Sequence, residues 1–191
     1  LGFEVMATAG TSRFLAQAGI SNRTIKKITE GLARFRGVDR RLHRRGQALG
    51  ATVLDDYGHH PTEIAATLAA ARAGWPDKRI VLVFQPHRYT RTQALFDDFA
   101  RSFYQTDLLL VLPIYAASEP PIPGVDSRQL SEAIIAHGHK AAHYMDSFEK
   151  SLKFLSKNLV AGDLLITMGA GDVWQIGETI LQNLEDGVVC P

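Results

Sequence analysis

Cysteine is almost missing from this 191-residue chain: its one copy, Cys190, stands next to the C-terminus. A disulfide framework is therefore excluded, and no CxxC or Cys/His zinc spacing can be built. No run of about 18 apolar residues occurs, so no membrane-spanning helix is expected. A basic and apolar leader with a small-residue cleavage site is also lacking, which makes the cytosol the expected compartment. The chain begins with Leu1 rather than Met, as a piece of a longer protein would. There is no GxxxxGK(S/T) loop for a triphosphate and no GxSxG nucleophile elbow. No complete catalytic set is visible, and no metal site is expected.

What is present suits a soluble globular domain. Hydrophobic residues make up 46% and charged residues 21%, and Lys plus Arg (21) nearly balances Asp plus Glu (20). That composition is apolar enough for a core, and the length fits one domain with a small appendage. From residue 51 onward, short apolar runs alternate with helical patterns. Strands are expected at Ala51–Leu54, Arg79–Phe84, Asp107–Leu112, Ala141–Tyr144 and Asp163–Thr167. Helices are expected at Pro61–Trp75, Thr92–Tyr104, Ser127–His137 (capped by Ser127), Ser147–Leu159 and Asp172–Leu184. Ahead of these, Phe3–Thr8 reads as a strand, Thr11–Ala18 as a helix and Gly19 as its stop.

Continuous apolar strands alternating with helices mean βαβ units. The fold class is α/β, a Rossmann-like three-layer sandwich with a mostly parallel sheet. Crossovers of one hand gather the strand-to-helix loops on one edge, where ligands of such sheets bind. Those loops are Asp55–Pro61, Gln85–Arg91, Pro113–Glu119 and Met168–Asp172, all rich in polar, aromatic or glycine residues.

Each motif has a bland alternative. In Asp55-Asp56-Tyr57-Gly58-His59-His60 a carboxylate can accept from a ribose diol, or Asp56 or His60 can simply cap the next helix. His87, Arg88 and Arg91 put three potential cations in five residues, suited to a carboxylate or phosphate. A solvated basic loop is the plainer reading. Gly169-Ala170-Gly171-Asp172 follows a strand and opens a helix, as an anion site does, and equally as a tight turn does. Arg34, Arg36, Arg40, Arg41, Arg44 and Arg45 fall within twelve residues. With Phe35 alone interleaved, nucleic-acid binding is disfavoured, and the stretch reads as a solvated linker with one functional Arg. His137, His139 and His143 are expected on surface loops.

Two of these segments carry a resemblance. Asp55–Ile64 (DDYGHHPTEI) and Phe84–Thr92 (FQPHRYTRT), supported by Gly37–Arg41, Tyr115–Glu119 and Gly169–Asp172, closely resemble the Mur ligase family over about residues 35–184. The resemblance implies the family's C-terminal Rossmann-like domain, here 35–191, and a part in peptidoglycan precursor synthesis. There L-alanine is joined to the lactyl carboxylate of UDP-N-acetylmuramate, through an acyl phosphate made with ATP and magnesium. It implies nucleotide contacts from Arg41, Asp56 and His60. It implies amino-acid contacts from His87, Arg88, Arg91, Gly169 and Gly171. The family's UDP-binding and P-loop ATPase domains have no counterpart in this sequence. The chain is therefore expected to need those domains as partners, to hold no cofactor tightly and to be inactive alone.

Residues 1–34 depart from the pattern. Leu1–Thr11 (LGFEVMATAGT) resembles the methylglyoxal-synthase-like regulatory domain of the carbamoyl phosphate synthase large chain. That resemblance implies a phosphate pocket at Thr8, Gly10, Thr11 and Lys27. A hybrid of two α/β pieces, binding a phosphate ligand without catalysis, is the alternative expectation. Gly19–Val38 reads equally well as the end of a ligase central domain.

Overall fold

The structure is a computed structural model that describes residues 5–7, 22–24 and 38–185. Two compact units, Leu1–Gly37 and Val38–Pro191, divide the chain. In the first, β1 (Val5–Ala7) pairs in parallel with β2 (Asn22–Thr24). The expected strand Phe3–Thr8 contains β1. The expected helix Thr11–Ala18 and the candidate phosphate residues Thr8, Gly10, Thr11 and Lys27 lie outside the described residues, as does Cys190.

The second unit is built on a six-stranded sheet. Its strands are β3 (His43–Ala48), β4 (Ala51–Asp56), β5 (Ile80–Phe84), β6 (Leu108–Val111), β7 (Ala142–Tyr144) and β8 (Leu164–Met168). They lie in the order β3-β4-β8-β5-β6-β7, with β3 antiparallel and the rest parallel. The central strands are apolar throughout because both faces are covered. Successive side chains point to opposite faces. Leu82 and Phe84 of β5 therefore join Ile64, Leu68, Phe99, Phe103 and Leu130 in one core. Val81 and Val83 join Leu155, Ile176 and Ile180 in the other. Each such fully buried side chain contributes about 1.5–3 kcal/mol.

The helices are α1 (Pro61–Gly74), α2 (Tyr89–Ala94), α3 (Phe96–Ala100), α4 (Ser127–Ala136), α5 (Phe148–Asn158) and α6 (Trp174–Glu185). The connections β4 to β5, β5 to β6 and β6 to β7 advance across the sheet in one direction. Right-handed crossovers then put α1 through α4 on one face. The connection from β7 to β8 runs back, which puts α5 on the other face, where α6 joins it. The three-layer α/β sandwich expected from the sequence is the fold observed.

Four local expectations are corrected. The Arg-rich stretch is no plain linker, since Arg44 and Arg45 lie in β3. That strand turns through Leu49 (φ 52°) and Gly50 (φ 76°) into β4, a two-residue hairpin turn with both central residues left-handed. The expected helix Thr92–Tyr104 is two short helices. Backbone at Leu95 leaves helical geometry (φ −117°, ψ 23°), and Asp97 and Asp98 lead the restart. Asp126, not Ser127, caps α4, accepting from the Gln129 N–H at 2.8 Å. His139 is buried rather than superficial: its Nε2 lies 2.8 Å from Thr106 Oγ1, and its Nδ1 accepts from the Ala141 N–H.

No helix among the described residues is long and apolar enough to cross a membrane.

Candidate functional site

The carboxyl ends of β4, β8, β5 and β6 finish level with one another. Gly169 N–H donates to the Asp56 carbonyl at 3.1 Å, and Gln85 N–H donates to the Met168 carbonyl at 3.0 Å. Arg88 N–H donates to Tyr115 and Tyr115 N–H to Pro86, both at 2.8 Å. The four loops expected to share an edge therefore do so. β8 stands between β4 and β5, and its chain leaves for α6 on the face opposite to α1 and α2. Reversal of the connections at that point opens a crevice beside the strand ends.

On the β4 side, Asp55 and Asp56 are the last residues of a strand and face opposite cores. Asp55 Oδ1 accepts from the Thr167 hydroxyl at 2.9 Å, and Oδ2 accepts from Arg40 Nε at 2.9 Å. Asp56 is 2% exposed and its two oxygens accept from the Gly58 and Leu42 N–H groups, at 2.7 and 2.8 Å. Burial pushes its pKa up, and those two N–H donors oppose the rise. Two of the carboxylate's four acceptor positions are thus used. His60 caps α1: its Nδ1 accepts from the Thr62 N–H, and Glu63 reaches back to the N–H groups of His59 and His60. Burial pushes the Glu63 carboxyl up, but those donors and the neighbouring His59 and Arg41 outweigh it and hold it below its ordinary value. Arg41 lies 3.5 Å from Glu63 and is about half exposed.

A row of rings crosses the edge. Tyr57 meets His59 edge-on with centroids 5.4 Å apart, His59 lies 5.6 Å from His87, and His87 stacks on Tyr115 at 5.5 Å with planes 10° apart. Arg40 covers the outer end, its guanidinium carbon 4.8 Å from the Tyr57 ring centre. Tyr57 and Tyr115 are each 38% exposed, so both ends of the row present aromatic surface to solvent.

The cations lie beside this row. Arg91 approaches His87 Nδ1 at 3.2 Å and donates to its carbonyl at 3.2 Å. Burial lowers the His87 pKa, and Arg91, His59 and Arg88 lower it further. His87 is therefore neutral near pH 7 and accepts from Arg91, leaving Arg88 and Arg91 as the charged pair. Arg88 holds a left-handed backbone (φ 73°) and is about half exposed. Such strain in a residue with a Cβ recurs at functional sites.

The glycine turn serves close packing. Gly169 (φ 150°) leaves no room for a Cβ, which would stand 2.7 Å from the Gln85 carbonyl oxygen. A Cβ on Gly171 would meet the Gln85 amide oxygen and stand 2.7 Å from Tyr115 Cγ. The amide oxygen of Gln85 accepts the N–H groups of Asp172 and Val173, and its nitrogen donates to Asp172 Oδ1 at 2.7 Å. A neutral side chain thus fills the position in front of α6 where an anion would otherwise sit. Gly169 and Gly171 shape the crevice by letting Gln85 and Tyr115 approach.

Three residues of this edge stand in the quoted motifs but have roles that the motifs do not reveal. Arg40 ties Asp55 to the Gly169 carbonyl, which it reaches at 2.7 Å. Gln85 braces α6, and Glu119 holds Thr90 through two bonds. Their partners are distant in sequence, so spacing gives no signal. Of the Arg cluster, Arg45 pairs with Glu178 on α6 at 2.5 Å, and Arg34 and Arg36 lie outside the described residues. No group of three or more potential metal-ligating side chains occurs among the described residues.

Comparison with known proteins supplies the family and the fold. The family profile described as Mur ligase, glutamate ligase domain, matches residues 40–171. The chain is 59% identical over 157 residues to the UDP-N-acetylmuramate–L-alanine ligase of Desulforapulum autotrophicum, covering 82% of this chain and 34% of that one. It is 53% identical over 169 residues to the ligase of the same name from Desulfosudis oleivorans, covering 88% and 36%. Among solved structures, the UDP-N-acetylmuramate–alanine ligase of Thermotoga maritima shares the fold with a TM-score of 0.71 at 22% identity, over 92% of this chain and 36% of that one. The chain spans about a third of the length of the curated relatives it matches.

Proposed function

This chain belongs to the Mur ligase family, and we propose that its larger unit supplies the nucleotide and amino-acid contacts for joining L-alanine to UDP-N-acetylmuramate. The observation that carries this reading is the single edge on which Asp56, Arg88 and Gly169 meet. Arg41, Asp56 and His60 form the nucleotide side. Asp56 acts from below, fixing Leu42 and Gly58, while Arg41 and His60 face outward with Tyr57. His87, Arg88 and Arg91 form the amino-acid side, with Gly169 and Gly171 at the border.

Ligation of this kind transfers the terminal phosphoryl group of ATP, with magnesium, to the lactyl carboxylate, giving an acyl phosphate and ADP. The neutral alanine amine then forms the new C–N bond as the bond to phosphate breaks, and inorganic phosphate leaves while the amine's proton passes to it or to solvent. This chain's own residues orient the amino acid: Arg88 and Arg91 hold its carboxylate and so aim the amine. The half-exposed edge supports a cleft completed by another domain, whose closure would keep water from the acyl phosphate. Alone, the chain carries no P-loop and does not ligate.

The test supplies the UDP-binding and ATPase domains of a relative in trans. Restored ATP-dependent ligation of L-alanine, lost in Arg88→Ala and Asp56→Ala, is the expected result. Normal ligation by both variants would refute the assigned roles, and absence of ligation with folded partners would refute the proposed activity.

A further inference from the structure

Glu119 reaches the amino-acid side of the edge from the loop after β6. Its carboxylate accepts the Thr90 N–H at 3.0 Å and the Thr90 hydroxyl at 2.7 Å. Arg88 Nη1 stands 3.6 Å from it. That is an ion pair, too long for a direct N–H···O bond. The backbone that presents them is strained on both loops: Arg88 has φ 73°, Ala117 48° and Ser118 70°. These conformations are costly for residues with a Cβ; the bonds between Arg88, Tyr115 and Pro86 brace the first loop, and the Glu119 N–H, donating to the Ala116 carbonyl at 3.0 Å, closes the turn through Ala117 and Ser118.

Guanidinium groups alone would take any small anion. A fixed carboxylate beside them changes the preference. An α-amino acid carries its ammonium one carbon away from its carboxylate, so a carboxylate seated on Arg88 brings an ammonium toward Glu119. We propose that Glu119 is a specificity-determining residue, taking the α-ammonium of the amino acid whose carboxylate Arg88 and Arg91 hold. This rests on the amino-acid side proposed above. Thr90 uses two acceptor positions of the carboxylate and leaves others for the ammonium. A simple carboxylate gains nothing from Glu119 and is repelled by it, which favours zwitterions by disfavouring their rivals. The donors that hold Glu119 also keep its carboxyl below the ordinary carboxylate range, so it recognises the amine and is a weak base toward it.

The experiment titrates the full chain with L-alanine and with propionate, which lacks the amino group, following the backbone amide resonances of His87, Arg88, Thr90 and Arg91. L-alanine is expected to bind about 2- to 5-fold more tightly, the effect of one exposed ion pair. Glu119→Gln retains hydrogen bonding to Thr90 without the charge. It should tighten propionate, weaken L-alanine and bring their ratio to one or below, and Glu119→Asp should restore part of the preference. Equal binding of the two probes by the unaltered chain, or a shift of both in the same direction in Glu119→Gln, overturns the inference while leaving the amino-acid side standing. If neither probe moves these resonances at tens of millimolar, both that side and this inference fail.

Discussion

Arg40 and Gly169, 129 residues apart in the chain, are joined at 2.7 Å by a hydrogen bond from the guanidinium to the glycine carbonyl. The same guanidinium holds Asp55, which is buried and also accepts from Thr167. One side chain thus ties the beginning of the larger unit to two loops of the crevice. Arg40→Met keeps the length and removes both bonds, leaving the Asp55 charge short of its partner. A loss of about 1–3 kcal/mol is expected, reduced from the fully buried case because Arg40 is partly exposed. Urea unfolding should show a lower midpoint at an unchanged slope.

The glycine turn predicts a second outcome. In Gly171→Ala the new methyl meets Tyr115 and the Gln85 amide. Overpacking of this kind costs about 1–3 kcal/mol. Ser in place of Ala should cost at least as much, and the His87 and Tyr115 ring resonances should move because their stack rests on this contact. An unchanged unfolding midpoint would show that the crevice has slack here.

Asp56 should tolerate little. Asn in its place would turn an NH2 group toward one of the two N–H groups that the carboxylate now accepts. A buried donor left without an acceptor costs about 1–3 kcal/mol. Thermal unfolding of Asp56→Asn, compared with the Arg88→Ala variant, separates a framework effect from a binding one. Arg88→Ala, on an exposed side chain, should melt close to the unaltered chain.

Two histidines contribute to the loss of stability in acid, while Asp56, whose pKa burial raises, works in the opposite direction as its carboxyl protonates. Burial lowers the pKa of His139, and burial followed by Arg91 lowers that of His87. Their unfolded pKa is about 6.5, so above it both states are neutral and stability is full. Below it the unfolded chain takes up protons that the folded chain refuses, and stability falls as pH falls. The loss continues until the folded pKa values are reached. Glu63 and Glu119, whose pKa values are lowered on folding, add a further loss at more acid pH. His139→Gln, which keeps one donor and one acceptor, should flatten the decline between about pH 6.5 and 5.5. An equal slope in the variant would place the proton uptake elsewhere.

The fold was readable where physics acts locally. β5, β6 and β8 are buried on both faces, so their apolar runs announce themselves. β3 is an edge strand whose Arg44, Arg45, Gly46 and Gln47 show no alternation, and its turn uses Leu49 in a left-handed conformation that sequence disfavours. Its existence follows from pairing with β4, which no window of residues records. His139 looked superficial because Gly138 and Lys140 flank it. Thr106, thirty-three residues earlier, buries it. In the site, the four loops lie at one edge, since strand order alone brings them together, although Asp55 and Asp56 belong to β4 rather than to the loop that follows it. The bracing by Arg40, Gln85 and Glu119 was not readable, because each acts on another loop. His60 proved to cap α1, and the glycine turn accommodates Gln85, so both bland readings hold along with the placement.

Amide hydrogen exchange most directly tests whether the carboxyl ends of the strands form one ligand-facing edge. The chain would be measured alone and then with the ATPase and UDP-binding domains, ATP and L-alanine. Slowed exchange is expected together at 55–60, 85–91, 115–119 and 168–172, with no change at the hairpin turn 49–50 or at 138–140. Protection confined to those two opposite-end turns, or to one of the four loops alone, would contradict a shared edge.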